Sequence, residues 1–226
     1  MTSHTALESA AVAPSPIGTH ETLQLTPPFA PTGMAVTKRN GRREPVDLNK
    51  IVRAIQRCSD GLFAIDPMRV ATRTISGLYD GASTRELDEL SIRTAALLTA
   101  EEPEYSRLAA RLLSAYISKE VSGQEIHAFS QSITRGHEVG LINDRLLSFV
   151  QTHARKLNDA LDSDFDRHFD YFGLRTLYDR YLLRHPHSRK VIETPQQFFL
   201  RIACALSGDV RDRKSTRLNS SHVKRS

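Results

Sequence analysis

From Tyr105 to Ile117 the residues at 105, 108, 109, 112, 113, 116 and 117 are all apolar or aromatic, so the steps alternate between three and one. That spacing puts seven side chains on one broad face of an α-helix, which demands neighbours on that face. The segment therefore predicts a central helix, opening at Pro103, with others packed around it. Shorter stripes of the same period precede it. Asp47 can cap a helix bearing Leu48, Ile51, Val52, Ile55 and Cys58. Pro67 opens a second through Val70, Ile75 and Leu78, ending near Tyr79-Asp80-Gly81. Ser83 or Thr84 caps a third, with Leu87, Leu90, Leu97 and Leu98 inward. Ahead of these, two short stretches flank Asn40-Gly41, a dipeptide suited to a two-residue type I′ hairpin turn, with Pro45 at an edge or strand end. Residues 36–122 thus read as a hairpin followed by a four-helix cluster.

Gly123 marks a junction. Helical patterns resume through Ile126, Phe129 and Ile133, and through Leu141, Leu146, Leu147 and Val150. The stretch 159–172, with five Asp among aromatics, reads as a surface turn region anchored by its rings. Leu174, Leu177, Tyr178, Tyr181 and Leu182 form another stripe. Thr194-Pro195 signals a further helix start, with Phe198, Phe199, Ile202, Ala203 and Leu206 as its apolar face. No parallel-sheet or barrel strand is visible up to residue 210, so the fold class is mainly α.

The chain ends differ in character. Residues 1–35 hold five of the ten prolines and no Lys or Arg, which predicts a flexible leader. Residues 211–226 hold six Lys/Arg and one Asp, and so carry the whole formal charge of +5. The other 210 residues balance at 25 basic and 25 acidic side chains, so the pI near 9.4 describes the tail and not a nucleic-acid-binding body. The tail reads as non-native. Two cysteines, Cys58 and Cys204, exclude a disulfide framework and any Cys-rich metal site. Without an eighteen-residue apolar run or a secretory signal pattern, the expected location is the cytoplasm.

The chemistry-bearing candidates are few. Lys38, Arg39, Arg42, Arg43, Lys50, Arg53 and Arg57, against Glu44 and Asp47, give +5 within residues 36–57. Basic side chains beside a hairpin and a helix start can hold a polyphosphate, or can be a solvated face paired with acids on the third helix. Neither a GxxxxGK[ST] loop nor a GxGxxG turn is present, so a nucleotide site here has to be of another type. His127, His137, His185 and His187 lack metal-ligand spacing. Asp162, Asp164, Asp166 and Asp170 lack the glycine and terminal glutamate of a calcium loop. Cys58 and Cys204 lie on apolar helix faces, where a thiol is a small buried hydrophobe.

VTKRNGRREPVDLNKI at 36–51 closely resembles the start of the ATP-cone domain, and the resemblance continues through YDGASTRELDEL and EEPEYSRLAARLLSAYISKEV in the family's order. Cones occur in ribonucleotide reductases and in a transcriptional repressor. The repressor carries a zinc ribbon with two CxxC pairs ahead of its cone, whereas residues 1–35 contain no cysteine. FDYFGLRTLYDRYLLR and ETPQQFFLRIACAL resemble the helical segment before the α/β barrel in the large subunit of class I ribonucleoside-diphosphate reductases. The resemblance implies a leader over 1–35, an ATP cone over 36–122, the start of the reductase helical domain over 123–210, and the basic tail over 211–226.

It also implies ATP or dATP, with Mg2+, as an allosteric effector. Val36, Lys38 and Arg39 would lie in the hairpin over the nucleotide, and Glu44 and Asp47 would border base and sugar. Lys50 and Lys119 would meet phosphates. Thr84 would supply a hydroxyl near the base, and Leu87 would line the pocket. Asp88 stands where many relatives have histidine, and Asp47 where asparagine is common, so each sets an extra carboxylate near a polyanion. The implied partners are the reductase small (beta) subunit, which houses the metal-radical centre, further copies of the large subunit and, for the full-length enzyme only, nucleoside diphosphate substrates. No membrane or nucleic acid is expected. The barrel cysteines of the reaction are not in this sequence, so the stretch is expected to be catalytically inert and to have no metal held by its own side chains. The competing reading is a helical nucleic-acid-binding or interaction module using the basic 36–57 segment.

Overall fold

The computed structural model describes residues 33–206. The leader up to residue 32 and the basic end from 207 lie outside the described residues. Two strands, β1 (Ala35–Thr37) and β2 (Arg43–Pro45), pair antiparallel with Val36 opposite Glu44. Pro45 sits at the strand end, where its missing N–H leaves no gap in the ladder. The connecting turn differs from the expected type I′. The Gly41 N–H bonds the Lys38 carbonyl at 2.9 Å and the Lys38 N–H bonds the Arg42 carbonyl at 2.8 Å. Gly41 has φ +83°, while Asn40 is not at positive φ. This is a three-residue loop in which a type I turn is closed by a left-handed glycine. The Asn-Gly pair signals both geometries, and only the glycine uses the left-handed region here.

Four helices follow: α1 (Leu48–Cys58), α2 (Pro67–Ser76), α3 (Thr84–Leu98) and α4 (Tyr105–Ser122). The first three of these starts are capped by side chains. Asp47 caps α1, Asp66 caps α2 ahead of its Pro67, and Ser83 forms a capping box with Glu86 on α3. All seven residues of the 105–117 stripe are buried, as the spacing predicts. On α3 the expectation fails at one position: Leu97 is 76 % exposed, while Ile92, Ala95 and Leu98 turn inward. The loop before α3 also joins the hairpin. The Thr37 N–H bonds the Ala82 carbonyl at 2.9 Å, and the Ala35 N–H bonds Asp80 Oδ1 at 2.8 Å. Val36, Val46, Leu48 and Leu87 form a small core beneath it.

Beyond Gly123 come α5 (Phe129–Glu138), α6 (Asp144–Thr152), α7 (Ala154–Asn158), a 3-10 turn (Ser163–His168), α8 (Tyr171–Arg180) and α9 (Pro195–Leu206). Phe129, Ile133, Val150, Leu157, Leu200 and Cys204 make a core for the first of these. The main core crosses the junction at Gly123: Leu174, Leu177, Ile192 and Phe198 join the cluster built on α4. Phe199 and Leu206, expected inward, are exposed on α9. The 183–193 segment is tied to α9 by fully buried Glu193, which pairs with Arg201 at 2.8 and 2.9 Å and accepts the Leu183 N–H. The acidic stretch is a surface turn region anchored by Phe169 and Tyr171, as expected, although Phe172 is exposed; it is also held by Asp166, which accepts from Ser114 on α4 and from Gln196 on α9.

Candidate functional site

The hairpin tip, α1, α3 and α4 enclose a cleft of about 660 Å³. Each helix presents one stripe to it. On α3 these are Thr84, Leu87, Asp88 and Ser91, at i, i+3, i+4 and i+7. On α4 they are Leu112, Ala115 and Lys119, and on α1 Lys50, Ile51, Ala54, Ile55, Arg57 and Cys58. Lys38, Arg39, Asn40 and Glu44 close the fourth side. The floor is aliphatic with small residues, which leaves room for a flat apolar group. The rim is cationic: five Lys/Arg against two carboxylates give a local charge of +3. A cleft that combines aliphatic lining with an excess of positive charge suits a ligand carrying both an apolar group and a polyanion.

Of the ten residues anticipated, Lys38, Arg39, Glu44, Lys50, Thr84, Leu87, Asp88 and Lys119 line this cleft. Two do not. Val36 is buried under the hairpin against the small core, where it supports the tip instead of reaching the opening. Asp47 is spent on α1: its Oδ1 accepts the Asn49 and Lys50 N–H groups at 3.0 and 3.3 Å, and its Oδ2 meets Arg53 at 3.4 Å. Capping turns that carboxylate away from the lining. Asn40, Ala54, Ser91, Leu112 and Ala115 were not anticipated. Ser91, Leu112 and Ala115 follow from extending the α3 and α4 stripes by helical spacing.

The rim charges are interlocked. Asp88 accepts from Lys119 at 2.8 Å and from Arg39 at 3.3 Å, so one carboxylate of α3 holds a cation from α4 and another from the hairpin. The partner acid on the third helix therefore exists alongside the cleft. Lys38 pairs with Glu44 at 3.1 Å, and that hydrogen bond holds the Glu44 carboxyl below its ordinary value. Lys50 and Arg57 make no salt bridge among the described residues, Lys50 acting on Glu44 only through its longer-range field, which leaves both available to an anion. Burial pushes the Cys58 thiol up, which disfavours the thiolate. Arg111 on α4 fixes the end of α1 by donating to the Cys58 and Asp60 carbonyls at 3.1 and 2.6 Å. Among the described residues, no group of three or more His, Cys, Asp or Glu is placed to hold a metal ion.

Comparison with known proteins names the class of this architecture. Residues 34–120 match the ATP cone domain, and residues 167–221 match the all-alpha domain of ribonucleotide reductase. The second match begins within the 3-10 turn and extends into the basic end. The chain is 38 % identical over 182 residues to the ribonucleoside-diphosphate reductase large subunit of Caenorhabditis elegans, covering 77 % of this chain and 23 % of that protein. It is 37 % identical over 183 residues to large chain 2 of Saccharomyces cerevisiae, covering 77 % and 21 %. With the large subunit of Plasmodium falciparum the identity is 35 % over 185 residues, covering 80 % and 23 %. The chain thus joins an ATP cone to the all-alpha segment of ribonucleotide reductase, and it matches the N-terminal region of the class I large subunit. The matched part spans less than a quarter of the length of these relatives.

Proposed function

We propose that this chain is the effector-binding N-terminal region of a ribonucleoside-diphosphate reductase large subunit, and that its cleft takes ATP or dATP. The carrying observation is the convergence of Lys38, Lys50, Arg57 and Lys119 on a cleft whose floor is Ile51, Ala54, Leu87 and Ala115, within the residues that match the ATP cone. Polyphosphate would lie against the mobile ammonium groups, which neutralise charge without a fixed donor geometry. The base would lie on the aliphatic floor, with the Thr84 hydroxyl at its edge. An accompanying Mg2+ would be held by the phosphates.

The full protein would reduce ribonucleoside diphosphates to deoxyribonucleoside diphosphates for DNA synthesis, together with a small subunit that carries the metal-radical centre. Effector binding would change how large and small subunits, and copies of the large subunit, associate. This stretch would be inert by itself: its two cysteines are Cys58, whose thiol burial pushes up, and Cys204, buried on α9. Calorimetric titration of the chain with ATP and dATP tests the reading. Saturable binding of both at one site is expected. No binding by the folded chain, or DNA binding that falls steeply with salt in its place, would favour the nucleic-acid module.

A further inference from the structure

Arg39 faces two ways. Its guanidinium meets Asp88 in the cleft at 3.3 Å and also lies over the Tyr116 ring, 5.0 Å from the centroid. Tyr116 belongs to α4 and is buried, with its hydroxyl on Glu89 at 3.2 Å. On its other side it packs edge-on to Tyr178 of α8, centroid to centroid 6.0 Å at 77°. Tyr178 is held in turn. Arg184 stacks over its ring at 4.5 Å and donates to its carbonyl at 2.6 Å, and its hydroxyl bonds buried Glu120 at 3.2 Å. Arg184 also pairs across to Val191, in the segment leading to α9. A continuous row of cation, ring, ring and cation therefore runs from the cleft rim into the segment that matches the all-alpha domain.

We propose that Tyr116 and Tyr178 are positioning residues for Arg39, and that this row couples occupancy of the cleft to the packing of α8. The inference rests on the nucleotide reading above. An anion in the cleft offers Arg39 a stronger partner than Asp88 or an aromatic face. Drawing the guanidinium toward the anion removes the charge from Tyr116, whose edge contact then sets the seat of Tyr178. Coupling of this kind is reciprocal, so a change at Tyr178, which lines no part of the cleft, must alter nucleotide affinity.

The test is a double-mutant cycle on ATP affinity in the full chain, using Tyr178→Leu and Arg39→Gln. The expected result is a change in ATP affinity of about threefold or more for Tyr178→Leu in the parent, and under 1.5-fold, or about no change, in the Arg39→Gln background. Tyr178→Phe, which keeps the ring, should stay near the parent. Equal effects of Tyr178→Leu in both backgrounds, or none in either, would overturn the coupling while leaving the effector site standing. Absence of ATP binding in the folded parent would overturn the effector reading, and the coupling with it. If Tyr178→Leu does not melt like the parent, ring-labelled tyrosine resonances replace it. A shift of the Tyr178 ring at saturating ATP that Arg39→Gln abolishes supports the row, and an equal shift in both overturns it.

Discussion

At the residue scale, charge placement separates groups that hold the fold from groups open to a ligand. Lys50 is exposed at the cleft rim and makes no salt bridge among the described residues, so Lys50→Ala should weaken ATP binding about tenfold with little change in melting temperature. Titration calorimetry beside a thermal melt checks both. Arg201 is the opposite case. Its removal would strand the fully buried Glu193 carboxylate, and Arg201→Ala should cost about 3–5 kcal/mol in a denaturant titration. Glu44, Asp80 and Glu86, all held below their ordinary values, contribute to the acid limb of stability. Their leading causes are the Lys38 hydrogen bond, the Ala35 N–H and the Ser83 N–H. A lowered carboxyl stabilises the fold above its ordinary value, and that contribution is lost as pH falls through the lowered one. The melting temperature should therefore hold from neutral pH down to the ordinary values of 4.5 and 3.8 and fall below them. Asp80→Asn should flatten that fall in a pH series of melts.

At the element scale, the helices were legible because capping residues and apolar spacing agree. Asp47, Pro67, Ser83 and Thr194 each stand where a helix begins. Asp47→Ala should lower stability by about 0.5–2 kcal/mol through the lost cap, measured by chemical denaturation. Misreadings arise where neighbouring positions are equally apolar. In Ala95-Ala96-Leu97-Leu98 the small Ala95 and Leu98 are buried in the main core, and Leu97 faces out. Phe199 beside Phe198 is the same situation. The cleft was half legible. Its charged residues announce themselves, whereas Ala54, Ser91 and Ala115 carry no chemical signal and emerge only once α1, α3 and α4 are placed together. Asp47 has two readings in the sequence, a cap and a ligand contact, because an acid before a helix can serve either; the structure shows the cap, since the free N–H groups of α1 lie nearest. The hairpin tip depends on Gly41, and Gly41→Ala, at φ +83°, should cost about 1–2 kcal/mol and loosen the wall that carries Lys38 and Arg39.

At the scale of the whole molecule, α4 does two jobs. One part of its surface closes the cleft through Leu112, Ala115 and Lys119, and another receives α8 through Ser106, Tyr116 and Glu120. The sequence places a break at Gly123, where the helix pattern pauses, yet the core continues across it. Nothing local in the sequence announces this, because the contacts join residues some sixty positions apart, as Tyr116 and Tyr178 do. Cone and following helices should accordingly lose structure together, with coincident far- and near-ultraviolet circular dichroism melts. The claim on which the account rests is the location of the ligand. Hydrogen exchange of the full chain with and without saturating ATP tests it most directly. The account predicts slowed exchange in the hairpin tip, along α1 from Lys50 to Cys58, at the start of α3 and around Lys119. Bound ATP with protection confined to other segments would contradict it.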